Sequence, residues 1–145
     1  MTAKEMHQEV AVYLSRYRVA KAEVKDIERR IERVRSEMMG VKGISYEDGD
    51  MPKAHNTEHD LSDYIVRIDD LIRDWQAAQE RAITVMREVS ATIDAIDHDQ
   101  ARRVLMLRFV DDYTYEDIAE MVSCDLSTVY RWKRIGFREV ASKCH

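Results

Sequence analysis

The stretch LSTVYRWKR, Leu126 to Arg134, carries the side chains best suited to chemistry with a nucleic acid. Helical spacing turns Val129 and Trp132 to one side. It leaves Ser127, Thr128, Tyr130, Arg131, Lys133, Arg134 and, one turn on, Arg138 on the other. Guanidinium groups match phosphate oxygens and guanine edges bidentately, and hydroxyl groups serve either partner. The start of such a helix also offers free amides to a phosphate. A helix of this kind is expected to read the major groove of double-stranded DNA. A three-helix bundle that binds protein is the competing expectation.

Charge supports the first expectation locally. The 145-residue chain has a net charge of −5, but residues 126–145 carry five Lys/Arg against one acid. Residues 43–98 carry five Lys/Arg against thirteen acids and account for most of the negative charge. A local basic footprint is compatible with a low overall pI.

Other chemistry finds little support. There is no Gly-rich phosphate loop, nucleophile motif or carboxylate pair on an apolar background. His55 and His59 have the spacing of two helical metal ligands, with Glu58 beside them, but no third ligand accompanies them. No catalytic residue, metal site or cofactor is expected, and the chain reads as a non-enzyme. Cys124 and Cys144 read as free thiols. No apolar run approaches the ~20 residues of a membrane span. MTAKEMHQEV lacks the apolar core of a signal peptide, so a cytoplasmic protein is expected.

The reading helix needs a partner to hold it. Thr114 stands where an N-cap should, with its hydroxyl placed to accept from the Asp117 amide. Glu116 and Asp117 suit the positive end of a helix carrying Ile118, Ala119 and Val122 inward. Ser123 and Cys124 make a turn, and Asp125 caps the helix that opens at Leu126. Val129, Trp132, Gly136 and Val140 recur as its buried face. DQARRVLMLRFV supplies a third short helix. Two of these three helices joined by a tight turn fit a helix-turn-helix.

Upstream lie two long heptad patterns. Met6, Val10, Tyr13, Tyr17, Ala20, Val24, Ile27, Ile31, Val34 and Met38 alternate at spacings of four and three. So do Leu61, Ile65, Ile68, Ile72, Trp75, Gln79, Ala82, Met86, Val89, Ile93 and Ile96. Each predicts a helix packed along its length on another. The first is expected to end at Gly40, with a loop at about 41–60 and an antiparallel, coiled-coil-like hairpin over 1–97. A second stripe, Tyr64, Leu71, Ala78 and Val85, predicts cover from a partner chain or from the C-terminal module over 98–145. The fold class is all-α, and a homodimer making a four-helix bundle would complete the hairpin's core.

ARRVLMLRFVDDYTYEDIAEMVSCDLSTVYRWKR resembles region four of bacterial sigma factors: an arginine-and-leucine helix, an acid-Ile-Ala-acid helix and a Ser-x-x-Thr-Val recognition helix. The whole chain is similar to phage-encoded late-transcription regulators of the ArpU type. Their long helices similarly precede a sigma-like module. The likeness also takes in the MP-containing loop and LMLRFVDDYTYEDIA. It implies promoter binding by a transcription regulator in a bacterial host, with RNA polymerase as a possible second partner. Ser127, Thr128, Tyr130, Arg131 and Arg134 would then face the major groove, and Thr114, Tyr115 and Lys133 would touch the DNA backbone. Two departures from that pattern are Ser123, where the turn usually has glycine, and Asp125, where serine is common. The other readings are a polymerase-binding interaction factor and a phage terminase small subunit, although such subunits usually carry the DNA module first.

Overall fold

The computed structural model describes residues 2–48 and 51–143, with side chains described outside 41–60. Among the described residues six helices follow one another: α1 (Ala3–Leu14), α2 (Arg16–Asp48), α3 (Met51–Asp94), α4 (Asp99–Phe109), α5 (Tyr115–Met121) and α6 (Leu126–Lys143). Among the described residues there is no strand, and the fold is all-α. No helix among them is long and apolar enough to cross a membrane.

The two heptad patterns form helices as expected, but their ends differ. α2 runs past Gly40 to Asp48, and α3 already begins at Met51, so the expected loop at 41–60 is largely helical backbone. Two local facts permit this. Gly40 sits in open space, where a glycine costs a long helix only about 1 kcal/mol. Pro52 falls in the first turn of α3, where its missing N–H leaves no intrahelical bond unmade. Ser15 separates α1 from α2, yet its N–H donates to the Ala11 carbonyl and its own carbonyl accepts from Val19, both at 3.0 Å. The hydrogen-bond ladder therefore continues through it.

The chain divides into two compact units, residues 22–80 and residues 1–21 with 81–145. In the first, α2 and α3 run antiparallel. Trp75 Nε1 donates to Glu28 Oε1 at 3.1 Å, and Arg67 pairs with Glu37 at 4.0 Å. Val24, Ile27, Val34 and Ala78 are buried. Ala78 belongs to the second stripe, so this unit itself covers that position. Ile65, from the first stripe, is 53% exposed. The face of α3 turned inward here takes in both stripes: Ile68, Ile72 and Trp75 of the first are half-buried, as are Tyr64 and Leu71 of the second.

The other unit has its own core. Val10 and Leu14 of α1, Val89 and Ile93 of α3, Ile96 of the α3–α4 junction, Ala101, Leu105 and Phe109 of α4, and Phe137, Val140 and Ala141 of α6 form one buried cluster. The N-terminal helix is therefore part of the unit that holds the three C-terminal helices. Val85, the last member of the second stripe, packs against this same cluster. Tyr13 and Thr92 share a hydroxyl hydrogen bond of 3.3 Å, and Arg16 pairs with Glu88 at 2.6 Å. Gly136 lets α6 approach α4 closely: a Cβ there would lie 2.6 Å from Leu105 Cδ1.

The α3–α4 junction is tied to α6. The Glu139 carboxylate accepts from the amides of Asp97 at 2.8 Å and His98 at 3.3 Å. Lys143 donates to the Ala95 carbonyl and lies 3.6 Å from Asp97. His98 caps α4, its Nδ1 accepting from the Ala101 amide at 3.1 Å.

Candidate nucleic-acid interface

α5, the turn at 122–125 and α6 form the helix-turn-helix. Thr114 caps α5 as expected, its hydroxyl accepting from the Asp117 amide at 3.1 Å. At the other end, Ser123 N–H donates to the Glu120 carbonyl at 3.2 Å and Cys124 N–H to the Ala119 carbonyl at 3.0 Å. This pair of bonds is a Schellman motif, which requires a left-handed residue between helix and turn. Ser123 takes that conformation with φ 57°, a role that usually falls to glycine. Asp125 stands at the N-cap position of α6, but by its backbone: its carbonyl accepts from Thr128 at 3.0 Å and Val129 at 3.1 Å. Its expected side-chain cap does not form.

A small core fixes the angle between the two helices. Val104, Ile118, Ala119 and Val129 are buried together, with Leu126 and Trp132 packed against them. Trp132 is thus a packing residue, as expected. Phe137, 1% exposed, is a core residue that the sequence reading left out.

On α6, Ser127, Arg131, Arg134 and Arg138 are exposed. Their spacing of four, three and four places them on a single face. Among the described residues none of the three guanidinium groups has a carboxylate partner, although acids outnumber bases in the chain. The acid on the same helix, Glu139, is committed to the amides of Asp97 and His98.

The other residues expected on that face are half-buried: Thr128, Tyr130 and Lys133. For Tyr130 this corrects the expectation of exposure. Its ring lies 5.3 Å from that of Tyr115, and Lys133 Nζ stands 5.3 Å from the Tyr115 ring, 5.6 Å from Tyr130 and 5.4 Å from Phe137. Aromatic and cation–π attraction outweigh solvation of these side chains. Burial, then the neighbouring Arg134 and Arg108, hold the Lys133 ammonium pKa below its ordinary value. Tyr115 is covered from another side by Arg108, 4.9 Å from its ring, and burial raises its phenol pKa.

Two arginines absent from the sequence reading brace the approach to α5. Arg108 donates to the Tyr113 carbonyl at 3.1 Å. Arg18, from α2, donates to the Arg108 carbonyl at 3.0 Å. Its Nε lies 2.9 Å from Asp112, close enough for an ion pair but not aligned as a hydrogen bond. Asp112 itself has φ 66°. Nothing in the spacing of Arg18 distinguishes it from the other cations of its helix, so only the packing reveals this role.

Among the described residues no group of three His, Cys, Asp or Glu side chains could hold a metal ion. His55, Glu58 and His59 lie outside the described side chains, and Cys144 outside the described residues. Cys124 is a free, half-buried thiol.

No curated protein and no solved structure matches the chain. Residues 98–135 match the family model Sigma-70, region 4, which takes in α4, α5 and α6 as far as Ile135. Arg138 and the whole of α1 fall outside it. The chain thus carries a sigma-70 region 4-like domain at residues 98–135, a helix-turn-helix module of the DNA-binding class.

Proposed function

We propose that the protein is a phage- or prophage-encoded transcription regulator that lays α6 in the major groove of promoter DNA and binds as a homodimer. One observation carries this reading. Arg131, Arg134 and Arg138 share an open face of the second helix of a sigma-like motif, and among the described residues no carboxylate pairs with them. Uncompensated guanidinium groups in an acidic protein suit a polyanion.

Ser127, Arg131 and Arg134 are assigned to the base edges, with Thr128 beside them at the start of the helix. Thr114 is exposed at the N-terminus of α5 and suits the DNA backbone. Tyr115, Tyr130 and Lys133 form one packed group at the edge of the face. They support it and present Lys133 to a phosphate. Arg138 extends the contact along the strand.

Dimerisation is supported by apolar side chains that the single chain leaves uncovered. In the 22–80 unit Met39, Ile65 and Val66 are 60%, 53% and 57% exposed. A short recognition helix makes few contacts, and a second copy raises the effective concentration of the second module. Light scattering at micromolar concentration should give twice the chain mass. A monomer removes the dimer from this proposal, and a ring-sized mass favours a packaging subunit instead.

Selection of bound sites from a random library together with host DNA tests the reading as a whole. Enrichment of an inverted repeat supports a dimeric reader. Retention of RNA polymerase without any retardation of DNA would replace it with a polymerase-binding factor.

A further inference from the structure

α6 continues beyond the family match to Lys143, and α1 packs on that same helix through the shared core. His7, on α1, sets its ring edge-on to Phe137, with centroids 5.6 Å apart and an interplanar angle of 87°. Phe137 is fixed in the core, whereas His7 is only half-buried. Arg134 precedes Phe137 by one turn and Arg138 follows it directly; both are exposed. Lys133 Nζ stands over the same phenyl ring. An imidazole and an ammonium therefore meet one aromatic ring, and the charges of Arg134 and Arg138 act on that imidazole.

We propose that His7 and Arg138 hold a DNA phosphate beyond the helix-turn-helix segment, one turn past the base-reading Arg134, so that the N-terminal helix takes part in DNA contact. This inference rests on the DNA-binding reading above and adds to it a residue more than 100 positions before the motif in sequence. A phosphodiester fits better than a protein carboxylate because Arg134 and Arg138 continue the face that begins at Ser127 and Arg131. Arg131 and Arg138 are about 10 Å apart along the helix axis, so a strand held at Arg131 can run on to this group.

The charges around His7 couple the contact to a proton. α6 presents Lys133, Arg134 and Arg138. On α1 the charged residue one turn away is Lys4, and the α3 residues in the shared core, Val89 and Ile93, are apolar. Burial first, then Lys133, Arg138 and Arg134, hold the imidazole pKa below 6.5. A phosphate reverses this balance. It accepts charge-assisted hydrogen bonds from guanidinium and imidazolium alike, so the imidazole takes up a proton from solvent as DNA binds. Affinity then rises as pH falls through the histidine range.

The test is fluorescence anisotropy of a labelled duplex with the full chain at fixed ionic strength, at about pH 8, 6.5 and 5.5. Variants His7→Gln, Arg138→Gln and His98→Asn are compared, each checked for helicity. His98 is included because its ring nitrogen accepts the Ala101 amide, and asparagine keeps an N-cap there without a titrating ring. The unaltered protein should gain roughly three- to tenfold in affinity between the highest and lowest pH. His7→Gln should match it at high pH and lose the gain. Arg138→Gln should bind more weakly throughout with a shallower gain, and His98→Asn should keep the full gain. Retention of the full gain by His7→Gln, or pH-independent binding by the unaltered protein, overturns the proposal while leaving the DNA reading intact. No binding to any duplex overturns both.

Discussion

Lys133 Nζ stands 5.3 Å from the centroid of the Tyr115 ring, joining the first residue of α5 to the middle of α6 without an ion pair. The same ring meets Tyr130 and Arg108. Tyr115 is therefore the side chain on which the outer edge of the motif is assembled.

Tyr115→Ala should lower stability by about 2 kcal/mol, less than for a fully buried aromatic. Freed from the ring, Lys133 should titrate closer to an ordinary lysine. Urea unfolding measures the first effect through a lower midpoint at unchanged slope. Chemical labelling of Lys133 against pH measures the second. An unchanged midpoint would show that the Tyr115 contacts add nothing to the fold.

Ser123 sits at φ 57° in the Schellman motif that ends α5. A left-handed conformation costs an L-residue about 1–2 kcal/mol, and glycine gives part of that back as chain entropy. Ser123→Gly should raise stability by about 0.5–1 kcal/mol. Ser123→Val should lower it, since a β-branched residue tolerates this region worst. Thermal melts of the three proteins give the order directly.

Without DNA, His7 should make stability depend on pH. Its folded-state pKa is lowered, so near neutrality the unfolded chain binds more proton than the folded one. The contribution is complete above about pH 6.5 and is lost as pH falls through the folded value. Unfolding midpoints near pH 7.5 and 5.5 should draw closer together in His7→Gln than in the unaltered chain. Equal pH dependence in both would mean that the imidazole stays as ready to protonate as in the unfolded state.

Much of this was legible in the sequence, because periodicity and caps are local. All ten positions of the first heptad pattern, from Met6 to Met38, are buried or half-buried. The Thr114 cap, the inward Val129 and Trp132, and the outward Ser127, Arg131, Arg134 and Arg138 all follow from helical spacing. Packing between distant segments was not legible. Periodicity shows that α1 has an apolar face but not that α6 covers part of it, so His7 beside Phe137 and Arg18 beside Asp112 could not be paired. Tyr130 is another such case: an aromatic on a polar face is drawn inward only if a second ring, here Tyr115, lies within reach. Gly40 did not act as a stop because it stays in helical backbone, whereas a glycine that caps a helix itself takes up a left-handed conformation.

The central claim is that the open face of α6 binds DNA through Arg131 and Arg134. Affinity for a selected duplex, measured across salt concentrations for the full chain, Arg131→Ala and Arg134→Ala, tests it most directly, with Arg73→Ala, in the 22–80 unit, as a control. The account predicts a steep loss of affinity with salt in the unaltered chain. Each α6 variant should lose about 1–3 kcal/mol of binding where the arginine reads a base, or about one unit of salt slope where it holds a phosphate. Arg73→Ala should leave both unchanged. Salt-independent binding, or full affinity and slope in both α6 variants, would contradict it.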